Sequence, residues 1–126
     1  MHKSRLAGFI IDCQTDDLAA ATGFWSAALG LKVDAAAASE LKYRTLATAE
    51  DQVHLEVQIV EHPSRVHLDI EADDIEAEVR RLEKLGARRV GPVSTWYVME
   101  APTGQRFCVV RVQREDFAAR ANTWND

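Results

Sequence analysis

An internal repeat limits what this chain can fold into more than any other feature. The segment FIIDCQTDDLAAATGFWSAALGLKV, from Phe9, aligns with VHLDIEADDIEAEVRRLEKLGARRV, from Val66. Asp12 falls on Asp69, Asp16 and Asp17 on Asp73 and Asp74, Leu18 on Ile75, and Ala20 on Ala77. A one-residue gap later places Leu29-Gly30 on Leu85-Gly86. A duplication of this length marks one supersecondary unit present twice, because a single copy cannot bury its own apolar face. The sequence therefore predicts two modules that pack together.

Each copy opens as a strand. Val66, Leu68, Ile70 and Ala72 alternate with His67, Asp69 and Glu71, giving one apolar and one polar face. A helix follows, with Asp73 or Asp74 as its N-cap, Ile75, Val79, Leu82 and Leu85 at helical spacing, and Gly86 as its stop. The matching helix of the first copy is predicted over 18–29, with Phe24, Trp25, Ala28 and Leu29 as its buried stripe and Gly30 at its end. Three further strands follow each helix, at 31–34, 41–47 and 53–60 and then at 88–90, 95–100 and 106–112. APTGQ (101–105) is the tight connection before the last of them, and AAAASE (35–40) reads as a loop or short helical bulge. The expected organisation is one α+β domain, 1–126, made of β-α-β-β-β modules at 6–61 and 64–114 with a tail at 115–126.

Length and charge narrow the function. A chain of 126 residues and 14.1 kDa suits one domain with its own core. A net charge of −5 and a pI near 5.3 argue against nucleic acid or an anionic membrane as partner. No apolar run reaches the roughly 20 residues of a membrane span, and MHKSRLAGFI lacks the pattern of a signal peptide, so a cytoplasmic location is expected. Cys13 and Cys108 sit singly in apolar runs and are expected to be reduced thiols. GxGxxG, Walker, GxSxG, CxxC and HExxH motifs are all absent from the sequence.

The duplicated β-α-β-β-β order, carried by IDCQTDDLAAATGFWSAALGL, RVHLDIEADDIEAEVRRLEKLGA and VMEAPTGQRFCVV, resembles the vicinal oxygen chelate superfamily, in particular its glyoxalase-like branch. That superfamily contains glyoxalase I, bleomycin-resistance proteins and extradiol dioxygenases, and the resemblance spans about Leu6 to Arg114. It implies the glyoxalase/bleomycin-resistance fold, a curled mixed sheet with helices on the outside and a cavity between the modules. On such a sheet the period-two pattern sends Val53, Leu55, Val57 and Ile59 towards a helix and His54, Glu56 and Gln58 towards the cavity. The resemblance also implies a homodimer.

A divalent metal is implied too, held by one side chain from the first and one from the last strand of each module. His67 matches the family's histidine and Glu56 stands where a carboxylate is expected. The remaining positions fall on Gly8 or Ile10, which offer no donor, and on Cys108 in place of a carboxylate. No cofactor is therefore expected, with a divalent metal as the alternative. His67, Glu56 and Asp69 are the candidate catalytic residues, since a carboxylate beside an imidazole orients it and favours its charged form.

Asp12, Gln58, Trp96, Tyr97 and Cys108 are candidate ligand-binding residues. Asp12 and Asp69 are repeat mates, and two carboxylates that meet push one pKa upward. Trp96 and Tyr97 point to opposite faces of one strand, so one of them looks into the cavity, where an aromatic can stack on a flat ligand. The plainer readings are a hydrogen-bonded structural His67, solvated rim positions for Glu56 and Gln58, and a solvated helix end for Arg80, Arg81, Arg88 and Arg89. In the tail, Phe117 and Trp124 need an apolar partner, either across the cavity mouth or on a second subunit. Two functions follow. The first is a pocket that binds a small apolar or aromatic molecule without a metal, as bleomycin-resistance proteins do. The alternative is a lyase, isomerase or dioxygenase-type enzyme using His67 and Glu56 as a base or as a reduced metal site.

Overall fold

The computed structural model describes residues 1–34 and 41–125, so the AAAASE segment lies outside the described residues. Strand β1 (His2–Gln14) leads into helix α1 (Leu18–Leu29), then β2 (Tyr43–Leu46) and β3 (His54–Val60). Strand β4 (Arg65–Ala72) leads into α2 (Ile75–Lys84), then β5 (Arg88–Val93), β6 (Trp96–Glu100) and β7 (Arg106–Arg111). Helix α3 (Phe117–Arg120) and strand β8 (Asn122–Trp124) follow. The fold is α+β with mixed pairing, and the repeat appears as expected with one exception. The strand expected at 31–34 is a single bridge from Val33 to Leu46. Among the described residues no helix is long and apolar enough to cross a membrane.

The chain divides into two compact units, Gly8–His67 and Met1–Ala7 with Leu68–Asp126. These boundaries differ from the sequence modules, because the start of β1 groups with the second module and the start of β4 with the first.

In Gly8–His67 the strand order is β2-β3-β1, with β3 parallel to β1 and antiparallel to β2. Asp17 caps α1 by accepting from the Ala20 N–H at 3.0 Å, and Gly30 ends it in the left-handed region at φ 68°. The buried face of α1 is not the predicted one. Leu18 and Thr22 are buried and Trp25 half-buried, whereas Phe24 is 62% exposed, Leu29 46%, and Ala28 is exposed. The 12-residue helix carries no charged side chain, so its sequence marks no polar side and cannot choose which side is buried. Packing on β2 and β3 makes that choice, over Leu46 and Val57.

In the other unit the order is β4-β7-β6-β5, with β4 parallel to β7 and the remaining pairs antiparallel. Asp74 caps α2 through the Ala77 N–H, Glu76 and Glu78 occupy the first turn, and Arg81 and Lys84 the last, each suiting the helix dipole. Here periodicity and structure agree for Ile75, Val79 and Leu82, which pack with Ala72, Met99 and Val109, whereas Leu85, expected on the same face, is 67% exposed at the helix end. Gly86 adopts φ 105° just past the helix, a conformation that favours glycine.

Two wholly buried carboxylates fasten the first residues of the chain within this unit. Glu78 contacts His2 Nε2 at 2.7 Å and accepts from Ser4 Oγ at 2.7 Å and from Arg81 Nε and Nη2 at 2.8 and 2.9 Å. Glu71 accepts from the Gln113 and Arg114 N–H groups at 2.8 and 3.1 Å, from Arg5 Nε at 2.9 Å and from Arg114 Nε at 3.1 Å. Burial pushes both carboxyls up, but the donors outweigh it and hold each below the ordinary carboxylate value: Gln113 N–H, Arg5 and Arg114 for Glu71, and Arg81, His2 and Ser4 for Glu78. The tail aromatics find partners in the same unit. Strand β8 pairs with the start of β1, Trp124 Nε1 donates to Ser4 Oγ at 2.8 Å, and the Arg81 guanidinium lies 3.9 Å from the Trp124 ring centroid. Phe117 is buried beside Arg5. Tail and first strand are complementary because each leaves backbone and apolar groups that the other covers.

Candidate functional site

Strand register in Gly8–His67 gathers most of the polar residues singled out above. Ile10 lies opposite Glu56 and Asp12 opposite Gln58, while on the other side of β3 Thr45 lies opposite Glu56 and Tyr43 opposite Gln58. Alternation along each strand puts these residues, with His54, on one face, and Ile11, Leu46, Leu55 and Val57 on the face beneath α1.

Two imidazole–carboxylate pairs belong to the polar face. His67 Nδ1 lies 2.7 Å from Asp12 Oδ2, with the Asp12 carboxylate 2% and the imidazole 12% exposed. An ionised Asp12 can only accept, and in that state Nδ1 is the ring nitrogen that donates to it. Arg65 Nε lies 3.8 Å from the same oxygen. The second pair is His54 Nε2 and Glu56 Oε1, 2.8 Å apart and about one-fifth exposed. The sequence placed His54 on this face without giving it a role, yet a His-x-Glu spacing within a strand brings both side chains out on one side.

The remaining candidates lie on the other unit's strands. Asp69 and Cys108 are register partners on β4 and β7 and both are buried. Trp96 and Val98 pack with Cys108, Ala7 and Val110, so Trp96 shares the face of the thiol. Tyr97 packs on the α2 side with Met99 and Val109, under the Arg89 guanidinium at 5.5 Å. Glu71, expected on the polar face with His67, is taken up by Arg5 and Arg114. Within this unit Asp69 stands opposite Cys108, so a carboxylate and a thiol lie side by side on neighbouring strands.

The profile of the glyoxalase-like domain matches residues 8–110. This chain belongs to the glyoxalase-like family. Solved structures agree on the fold. A structure named as an NAD-dependent benzaldehyde dehydrogenase from Legionella pneumophila superposes with a TM-score of 0.62 at 10% identity, covering 83% of this chain and 99% of the other. A hypothetical protein from Bacillus halodurans gives 0.57 at 16% identity, covering 89% and 98%. A methylmalonyl-CoA epimerase in complex with methylmalonyl-CoA gives 0.53 at 14% identity, covering 86% and 95%. No curated protein matches the chain. At such identities the likeness is one of fold, and glyoxalase-like folds host unrelated chemistries.

The four-donor metal set associated with the glyoxalase-like fold does not suit these residues. On β1, Ile10 is apolar and buried, and Gly8 has no room for a side chain, since a Cβ there would fall 2.0 Å from the His54 carbonyl oxygen. On β3, Glu56 already holds His54. Glu56, His67 and Cys108 keep donor-bearing side chains at the implied positions, with Glu56 held by His54 and His67 by Asp12.

Proposed function

We propose that this glyoxalase-like protein binds a small oxygen-bearing molecule and moves a proton on it, with His67 as the base and Asp12 as the residue that positions it. The 2.7 Å contact between His67 Nδ1 and the buried Asp12 carboxylate carries this reading. Asp12 fixes the ring's tautomer and orientation and stabilises the imidazolium that forms when Nε2 takes a proton. Tyr43, Thr45 and Gln58 on the same face by register add hydroxyl and amide groups suited to an oxygen-rich ligand. No metal takes part in this reading.

Capture of a small apolar or aromatic molecule without chemistry is the second reading, and the Trp96, Val98 and Ala7 packing around Cys108 favours it. A thermal-shift screen of small carbonyl compounds and of polycyclic aromatics separates the two, with each hit then followed by NMR in D2O. Proton transfer predicts a carbonyl hit whose adjacent C–H exchanges, about 100-fold or more slower in His67→Gln. Aromatic hits with no exchange in any compound would favour capture.

A further inference from the structure

We infer that the cavity between α2 and β8 is a separate binding site, one that takes a small aromatic phosphate monoester. It lies wholly within the unit Met1–Ala7 with Leu68–Asp126 and measures about 540 Å³, inside the roughly 300–1,000 Å³ of small-molecule pockets. Asp74, the N-cap of α2, lines it with Arg80, Arg81 and Lys84 of that helix and Trp124 of β8. Arg80 and Arg81, which the sequence presents as a solvated helix end, thus border a hollow.

Two of the lining side chains are held in place before any ligand arrives. Trp124 is tied to Ser4 through its indole N–H, and Arg81 gives Nε and Nη2 to the buried Glu78 while its guanidinium stacks on the indole. Together they make a flat wall, and both indole and guanidinium stack on aromatic rings. A planar ligand therefore meets fixed groups here, and the ordering cost of binding falls on the other side chains.

Arg80 and Lys84 supply the charge. They stand four residues apart on α2, a spacing at which like charges repel, and an anion between them relieves that repulsion. Neither is tightly committed. Lys84 has no ion pair among the described residues, and Arg80 meets Glu76 only at 3.7 Å with both side chains more than half exposed, a pair worth little. Two available cations match a phosphate dianion better than a carboxylate. Lys84 lies in the last turn, where the helix dipole opposes an anion, so the side chains must provide the attraction. Asp74 lines the same cavity about 15 Å back along the helix from Lys84 and repels the phosphate towards the basic end.

The test titrates nitrogen-15-labelled protein with 2-naphthyl phosphate and follows the Trp124 indole N–H signal by NMR, identified by its absence from Trp124→Phe. Wild-type protein is expected to show a saturable shift with a midpoint at or below about 1 mM, about tenfold weaker binding of naphthalene-2-carboxylate, and no comparable response to naphthalen-2-ol or inorganic phosphate. Combining Arg80→Gln with Lys84→Gln, both at exposed positions, is expected to weaken 2-naphthyl phosphate binding at least about tenfold with the urea midpoint nearly unchanged. Lys84→Gln alone gives the same comparison with a smaller change. A Trp124 signal that stays still, naphthalen-2-ol bound as tightly as the phosphate, or variants that bind as wild type does would overturn the site. Carboxylate bound as tightly as phosphate would overturn the ligand class.

Discussion

Gly8 and His54 approach so closely across the β1–β3 pair that a Cβ on residue 8 would meet the His54 backbone, with the carbonyl oxygen 2.0 Å and the carbonyl carbon 2.6 Å away. Backbone cannot give way as a flexible side chain would. Gly8→Ala is expected to lower stability by at least about 1–3 kcal/mol, read as a shift in the urea midpoint. Gly8→His, which would supply the missing family donor, is expected to destabilise further and to gain no metal. A Gly8→His protein as stable as the parent would contradict this packing.

Arg5 and Glu71 make a buried pair between the first strand and β4, with the carboxylate fully buried. Arg5→Ala leaves that carboxylate short of one guanidinium and is expected to cost about 3–5 kcal/mol in chemical denaturation. Deleting residues 1–7 removes His2 and Ser4 from Glu78 as well, and is expected to abolish the cooperative transition followed by circular dichroism.

Stability should also depend on acid. Glu71 and Glu78 sit below their ordinary value of 4.5, so the folded protein binds fewer protons there than the unfolded chain. Their contribution is complete above about pH 4.5 and is lost as pH falls through the lowered folded values. Unfolding free energy measured from pH 6 down to pH 2 should therefore fall through this acid range. In Glu78→Gln the fall should be shallower, although that variant starts less stable.

Metal content checks the misfit of the family's donor set. Protein purified without added ions should contain far less than one equivalent of zinc, iron or manganese by elemental analysis. Tight stoichiometric metal that is lost in His67→Ala would displace the metal-free reading.

The element order was legible because the repeat and the period-two and helical patterns are local properties. Asp74 as N-cap and the Ile75, Val79 and Leu82 face of α2 could be read directly, since charge marks the solvent side of that helix. The face of α1 could not, because no charged side chain opposes its alanines and aromatics. The start of β1 was missed for a different reason: MHKSR looks like a solvated terminus until Glu71 and Glu78, some 70 residues away, supply its partners. His67 and Asp12 each stood out as polar residues in apolar strands, yet their pairing depends on strand register, which a linear pattern does not encode. His54 drew no role because the family's pattern directed attention to Glu56 alone.

The tautomer of His67 tests the central claim most directly. Long-range proton–nitrogen NMR of the resting protein near neutral pH should show a protonated Nδ1 and an unprotonated Nε2, with that preference lost in Asp12→Asn. A ring protonated at Nε2 with Nδ1 bare, or one unchanged by Asp12→Asn, would contradict a base held in place by Asp12.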